Sequence, residues 1–268
     1  VLQVMTEAPV KVGQMLFTMV DPHRGHEVAY NRWYERDHRY SGCMVGPGWF
    51  AGRRWVATKR LKDLRFPATG PVATSTDDGS YLATYWVHEP EMEEAQAWAE
   101  TQVGKLYAAG RGFPEREHVH TAQYLPDSSI SASEDGVPLT LALDHNYRGL
   151  VTVMIEPAAG VTREDALAQI EQGPAQELLQ SGVADLISSW RMKPWPAHHN
   201  VPMKMGNDGG TIERIMQLCF LPGDPEAGWQ QIRDYAAAIE ASGAGVVTFA
   251  SPFIPTEVGT DLYTDQLW

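Results

Sequence analysis

The sequence predicts an α+β protein built from two fused ferredoxin-like halves, each a split β-α-β unit, with sheets that face each other to form an α+β barrel. Three observations lead there. The order β-α-β, long loop, β-α-β occurs twice along 268 residues, a length beyond one typical domain. Both long loops fall at the same place in the plan, as a tandem repeat requires. A split β-α-β sheet carries helices on one face only, and a second copy in the same chain can cover the other.

In the first half, "GQMLFTMVDP" (Gly13 to Pro22) reads as a strand and His26 to His38 as a helix. "GWFAGRRWVAT" follows as the second strand, and a polar stretch from Lys59 to Gly79 forms the loop. "SYLATYWVH" is the third strand. The next helix opens at Pro90 and closes at Gly110, and "EHVHTAQYL" is the fourth strand. The second half repeats this with "GLVTVMIEP", a helix from Thr162 to Gln180 with Thr162 as N-cap, and "ADLISSWRM". Its long loop spans "PWPAHHNVPMKMGNDGG", followed by the strand "IERIMQLCFLPG", a helix from Pro225 to Ala241 and the strand "AGVVTFASPF". The polar segment Pro126 to Pro138 joins the halves, giving expected domains 1–126 and 139–268.

Composition narrows the function. With 43% hydrophobic and 21% charged residues, and no apolar run near the ~20 residues a spanning helix needs, the chain reads as a globular protein without a membrane partner. A net charge of -13 repels nucleic acid and anionic bilayers, which leaves a small organic molecule as the expected partner. Cys43 and Cys219 lie far apart, so neither a disulfide framework nor a thiolate cluster is expected, and no secretory segment is visible. A cytoplasmic location fits, and a homodimer is left open. Neither a phosphate-binding Gly loop nor a GxSxG elbow is present, which disfavours nucleotide cofactors and serine hydrolysis.

The stretch "NRWYERDH" at the end of the first helix, followed by "VGPGWFAGRRW" through a Pro-Gly turn, resembles the dimeric α+β barrel superfamily, and within it the EthD-like branch in a fused tandem form. The resemblance covers roughly residues 13 to 124. The second half shares only the order of elements. It implies a barrel cavity used for cofactor-free chemistry on small aromatic or polyketide-like molecules, while some relatives bind haem. It also implies a functional histidine at His38, since that branch keeps a His at the matching place.

The residues themselves supply candidates. On the first helix Tyr30, Tyr34 and His38 share a stripe, with Trp33 beside it as an apolar anchor. A helix C-terminus would raise the pKa of His38 and suit it to acid-base work, or His38 caps the last helical carbonyls or bonds the following turn. Strand alternation puts Trp49, Ala51, Arg53 and Trp55 on one face, with Arg53 as stabiliser of an enolate or phenolate, or alternatively as a rim ion pair. The same alternation groups His118 and His120 with Tyr124, as an acid-base pair, as two metal ligands lacking a third, or as ordinary surface or hydrogen-bonded histidines. Either face of the third strand offers aromatics, through Trp86 or Tyr85, for stacking a ring or for filling a core.

Together these predict a cofactor-independent lyase, cyclase or isomerase acting on a hydrophobic carbonyl- or phenol-bearing molecule. His38, His118 or His120 would move a proton, Tyr34 would orient an oxygen and Arg53 would stabilise charge. Trp49, Tyr85, Trp86 and Tyr124 would hold the substrate, with no cofactor and no metal. Three alternatives stand beside it: a cofactor-free monooxygenase, a haem-dependent peroxidase-like enzyme, and a non-catalytic binding protein. Against haem, the second half offers only His145, His198 and His199, none in a predicted helix.

Overall fold

The computed structural model describes residues 10–195, 201–206 and 211–268. The strands are β1 (Val12–Pro22), β2 (Trp49–Val56), β3 (Tyr81–His88), β4 (Arg116–Ser131), β5 (Gly149–Pro157), β6 (Leu186–Lys193), β7 (Ile215–Leu221) and β8 (Gly245–Pro255). They close into an antiparallel barrel in the order β1-β3-β2-β8-β5-β7-β6-β4. Strands from the first part of the chain form one side and strands from the second part the other. The α+β barrel is therefore the observed fold.

The helices are α1 (Glu27–Trp33), α2 (Lys59–Lys62), α3 (Met92–Ala108), α4 (Arg163–Gln172), α5 (Pro174–Gln180) and α6 (Trp229–Ser242). All the longer ones lie outside the barrel. Three elements depart from the sequence reading. The first helix does not stop at His38 but runs on through two π-helical turns, Tyr34–His38 and Tyr40–Met44. The helix expected from Thr162 to Gln180 breaks at Gly173, because Pro174 cannot donate the next helical hydrogen bond and starts α5 instead. Strand β4 continues to Ser131, where residues 128–131 pair with β6, so it takes up the first part of the segment expected to be a joint. Thr162 caps α4 as expected, accepting from the Asp165 amide at 3.1 Å.

The barrel interior is full. Phe17, Trp55, Trp86, Trp190, Phe220 and Phe253 are inaccessible to solvent, and Trp86 stacks on Trp190 with ring centroids 5.1 Å apart. These side chains occupy the space in which the sequence led us to expect a substrate cavity. A second apolar layer, including Val151, Ile155, Ile187 and Cys219, fastens α4, α5 and α6 to the outer face of the second-half strands. Among the described residues no helix is long and apolar enough to cross a membrane.

Candidate functional site

Two β-bulges decide which side chains reach the outer face of the first-half sheet. In β4 the register steps from Met19 opposite His120 to Val20 opposite His118, leaving Val119 as the extra residue. In β2 it steps from Trp49 opposite Val87 to Ala51 opposite Trp86, leaving Phe50 extra. Each extra residue reverses the alternation. His118 therefore points outward while His120 points into the barrel, and Trp49 parts from Ala51 and Trp55; the shared faces expected from strict alternation do not form.

The outer face is the floor of a cleft holding about 750 Å³, counting its open mouth. Its roof comes from the π-helical turns after α1, from α3 and from Trp195 to Met205 among the described residues. Apolar walls come from Leu16, Val20, Trp49, Val103, Met203 and Met205. His38, His118, Tyr34 and Tyr85 are brought together here, along with Arg116, Thr121 and Cys43.

His118 is held at one nitrogen only. Its Nδ1 lies 2.7 Å from Thr121 Oγ1, which lies 2.7 Å from Thr18 Oγ1, so the hydroxyl relay fixes the ring. The Nε2 atom is buried and has no hydrogen-bond partner among the described residues. His38 lies flat on Trp33, centroids 4.5 Å apart and planes at 17°. Gly42 permits this, since a Cβ there would stand 2.9 Å from His38 Cε1. Burial, reinforced by the Arg116 charge, pushes the pKa of both His38 and His118 down to about 3. The upward shift expected for a helix-terminal His38 fails because the chain stays coiled to Met44 and covers the ring.

Tyr34 and Tyr85 share a hydrogen bond of 2.7 Å, and burial raises both phenols. Burial likewise pushes the Cys43 thiol up to about 12, against a hydrogen bond with Tyr85. Arg116 is the cleft's cation: its guanidinium carbon sits 4.6 Å over the Trp33 ring and Nη2 donates to Tyr107 Oη at 3.1 Å.

The remaining candidates lie elsewhere. Arg53 reaches over Trp55 to the Tyr147 carbonyl at 3.1 Å and to the His145 carbonyl, so it fastens the 143–147 segment to the barrel. Its neighbour Arg54 faces outward but is buried among Tyr30, Tyr34 and Tyr81, paired with Glu35 at 3.3 Å. His120 bonds Tyr124 Oη at 2.7 Å inside the barrel, against Phe17. Trp86 donates to the Leu139 carbonyl at 3.0 Å. None of these four, Arg53, His120, Trp86 or Tyr124, lines the cleft. His198 and His199 lie outside the described residues. Arg116 and Thr121 were missed from the sequence, although Arg116 stands two residues before His118, the spacing that shares a strand face. Among the described residues no group of three or more His, Cys, Asp or Glu is placed to hold a bare metal ion.

No protein-family model matches the chain, and no curated relative does. Solved structures do. An anthrone oxidase-like protein superposes with a TM-score of 0.54 at 9% identity, covering 95% of this chain and 98% of that one. A candidate chlorite dismutase gives 0.54 at 11% identity, covering 95% and 99%. A haem-bound DypB variant from Rhodococcus jostii RHA1 gives 0.49 at 9%, covering 98% and 97%, too distant to carry an inference of its own. At such identities the likeness establishes the fold alone, that of an α+β barrel. It also corrects the expectation of a cofactor-free lyase, cyclase or isomerase: the two better-superposed structures are named for redox proteins. Chemistry agrees, because a general base works best with a pKa near the operating pH, far above about 3.

Proposed function

We propose that this protein is a haem-binding, peroxidase-like oxidoreductase whose prosthetic group and small organic substrate meet in the cleft between the first-half sheet and α3. The observation that carries the reading is His118. A neutral imidazole with one nitrogen anchored by a hydroxyl and the other buried without a partner is the donor that an iron requires. Apolar walls suit a porphyrin, and Arg116 supplies positive charge.

When bound, haem would supply one-electron and oxygen or peroxide chemistry. The chain's own part is to hold the ligand and to keep water out. Thr121 and Thr18 hold the ring of His118 in place, and when Thr121 Oγ1 accepts from Nδ1–H the lone pair lies on Nε2. The low proton affinity of His118 keeps the ring neutral at every physiological pH. Tyr34 and Tyr85 place a hydroxyl pair at the cleft wall for a polar substrate oxygen. The closer EthD-like resemblance and the origin of residues 1–126 and 139–268 by duplication belong to the same reading.

The test is direct. Wild-type protein titrated with haemin should develop a saturating Soret band, H118A should lose it, and H120A, altered on the barrel side, should keep it. A wild-type protein with no Soret band, or an H118A variant that binds as tightly, sinks the reading.

A further inference from the structure

We infer that Arg116 is a carboxylate-binding residue for the substrate, which makes the substrate class a small aromatic carboxylic acid. The inference rests on the cleft being the substrate site, and it is tested on protein without haem.

The argument begins with cost. Arg116 is 9% exposed, and a buried cation gives up hydration at a cost that an anion or several acceptors must offset. Its Nε is buried without a hydrogen-bond partner. What it has is the neutral Tyr107 hydroxyl and the face of Trp33. Among the described residues it forms no ion pair; Glu100 of α3 also lines the cleft, but it is engaged in a contact of its own.

Its charge acts on Tyr30, His38, Cys43 and His118, which burial keeps neutral at physiological pH, so these four do not compensate it. The cleft thus presents one undercompensated guanidinium at the end of an apolar slot. A ligand with an anionic oxygen completes this arrangement, and a carboxylate matches the guanidinium in charge and geometry. The rest of the ligand would lie against Leu16, Val20, Trp49, Met203 and Met205, surfaces that favour a flat ring.

The experiment uses purified protein without added haem, read by tryptophan fluorescence or calorimetry. Two isosteric probes are compared: 2-naphthoate and 2-naphthamide. Wild type should bind the acid about tenfold or more tightly than the amide, the difference expected for one charge-assisted contact. In R116Q the preference should vanish, and R116K, which keeps the charge, should restore part of it. Equal binding of the two probes by wild type, no binding of either, or a preference that survives in R116Q overturns the inference. A preference for haemin over its dimethyl ester that depends on Arg116, with no such dependence for naphthoate, also overturns it, because the carboxylate would then be the prosthetic group's. Failure of haem uptake alone would strike the oxidoreductase reading and leave this one standing.

Discussion

His118 and Thr121 show how much a single side-chain pair can decide. The imidazole has two nitrogens, and the hydroxyl at 2.7 Å takes one out of play, so the other is both oriented and free. Thr121→Val keeps the volume and removes the hydrogen bond. Loss of such a supporting partner typically costs roughly 10–100-fold in affinity of the liganded group. Haemin affinity of T121V, measured by Soret titration, should fall within that range while the far-ultraviolet dichroism stays that of wild type. Unchanged affinity would mean that the ring needs no anchor, and that the free Nε2 is an accident of packing.

At the scale of elements, the sequence's periodicities found nearly every strand and helix, because amphipathic alternation and Pro or Gly at the ends are local signals. β5, read as "GLVTVMIEP", spans Gly149–Pro157 as observed. What local pattern could not reveal was a bulge, since one extra residue at Val119 or Phe50 leaves the composition of a strand unchanged while inverting every face beyond it. That is why His118 and His120 were grouped, and why Trp49 stayed with Arg53. The short α2 was likewise invisible inside a basic loop. Its Lys62 is wholly buried, donating to the Asp77 carbonyl at 2.9 Å and to Ser80 Oγ at 3.0 Å, beneath the Trp268 ring. Burial lowers its pKa from 10.5 to about 8. At pH 7 the ammonium is charged in both states, and the folded state bears the cost. As pH rises from about 8 to about 10.5 the folded state sheds the proton first, the unfolded chain binds more protons, and stability rises. The stability of wild type relative to K62M, from urea denaturation at stepped pH, should therefore climb through that window. A flat difference would mean that Lys62 titrates as it does in water.

The whole molecule separates its core from its site. The repeated order of elements leads to the barrel, since two one-faced sheets in one chain have each other to cover, but it does not say whether the enclosed space is filled. The answer depends on side-chain volumes contributed from eight strands, and three tryptophans close it. The outer face, roofed by a helix with two wide turns, carries the cleft. Trp190 tests this division. It stacks on Trp86 across the barrel and donates to Ser188 Oγ at 2.8 Å, with no contact to the cleft. Trp190→Ala should cost about 3–5 kcal/mol, the usual penalty for emptying a large aromatic site. The urea midpoint should fall with an unchanged slope, whereas haemin uptake measured well below that midpoint should match wild type. A W190A protein that is still folded but no longer takes up haemin would place the site inside the barrel and undo the assignment of the cleft.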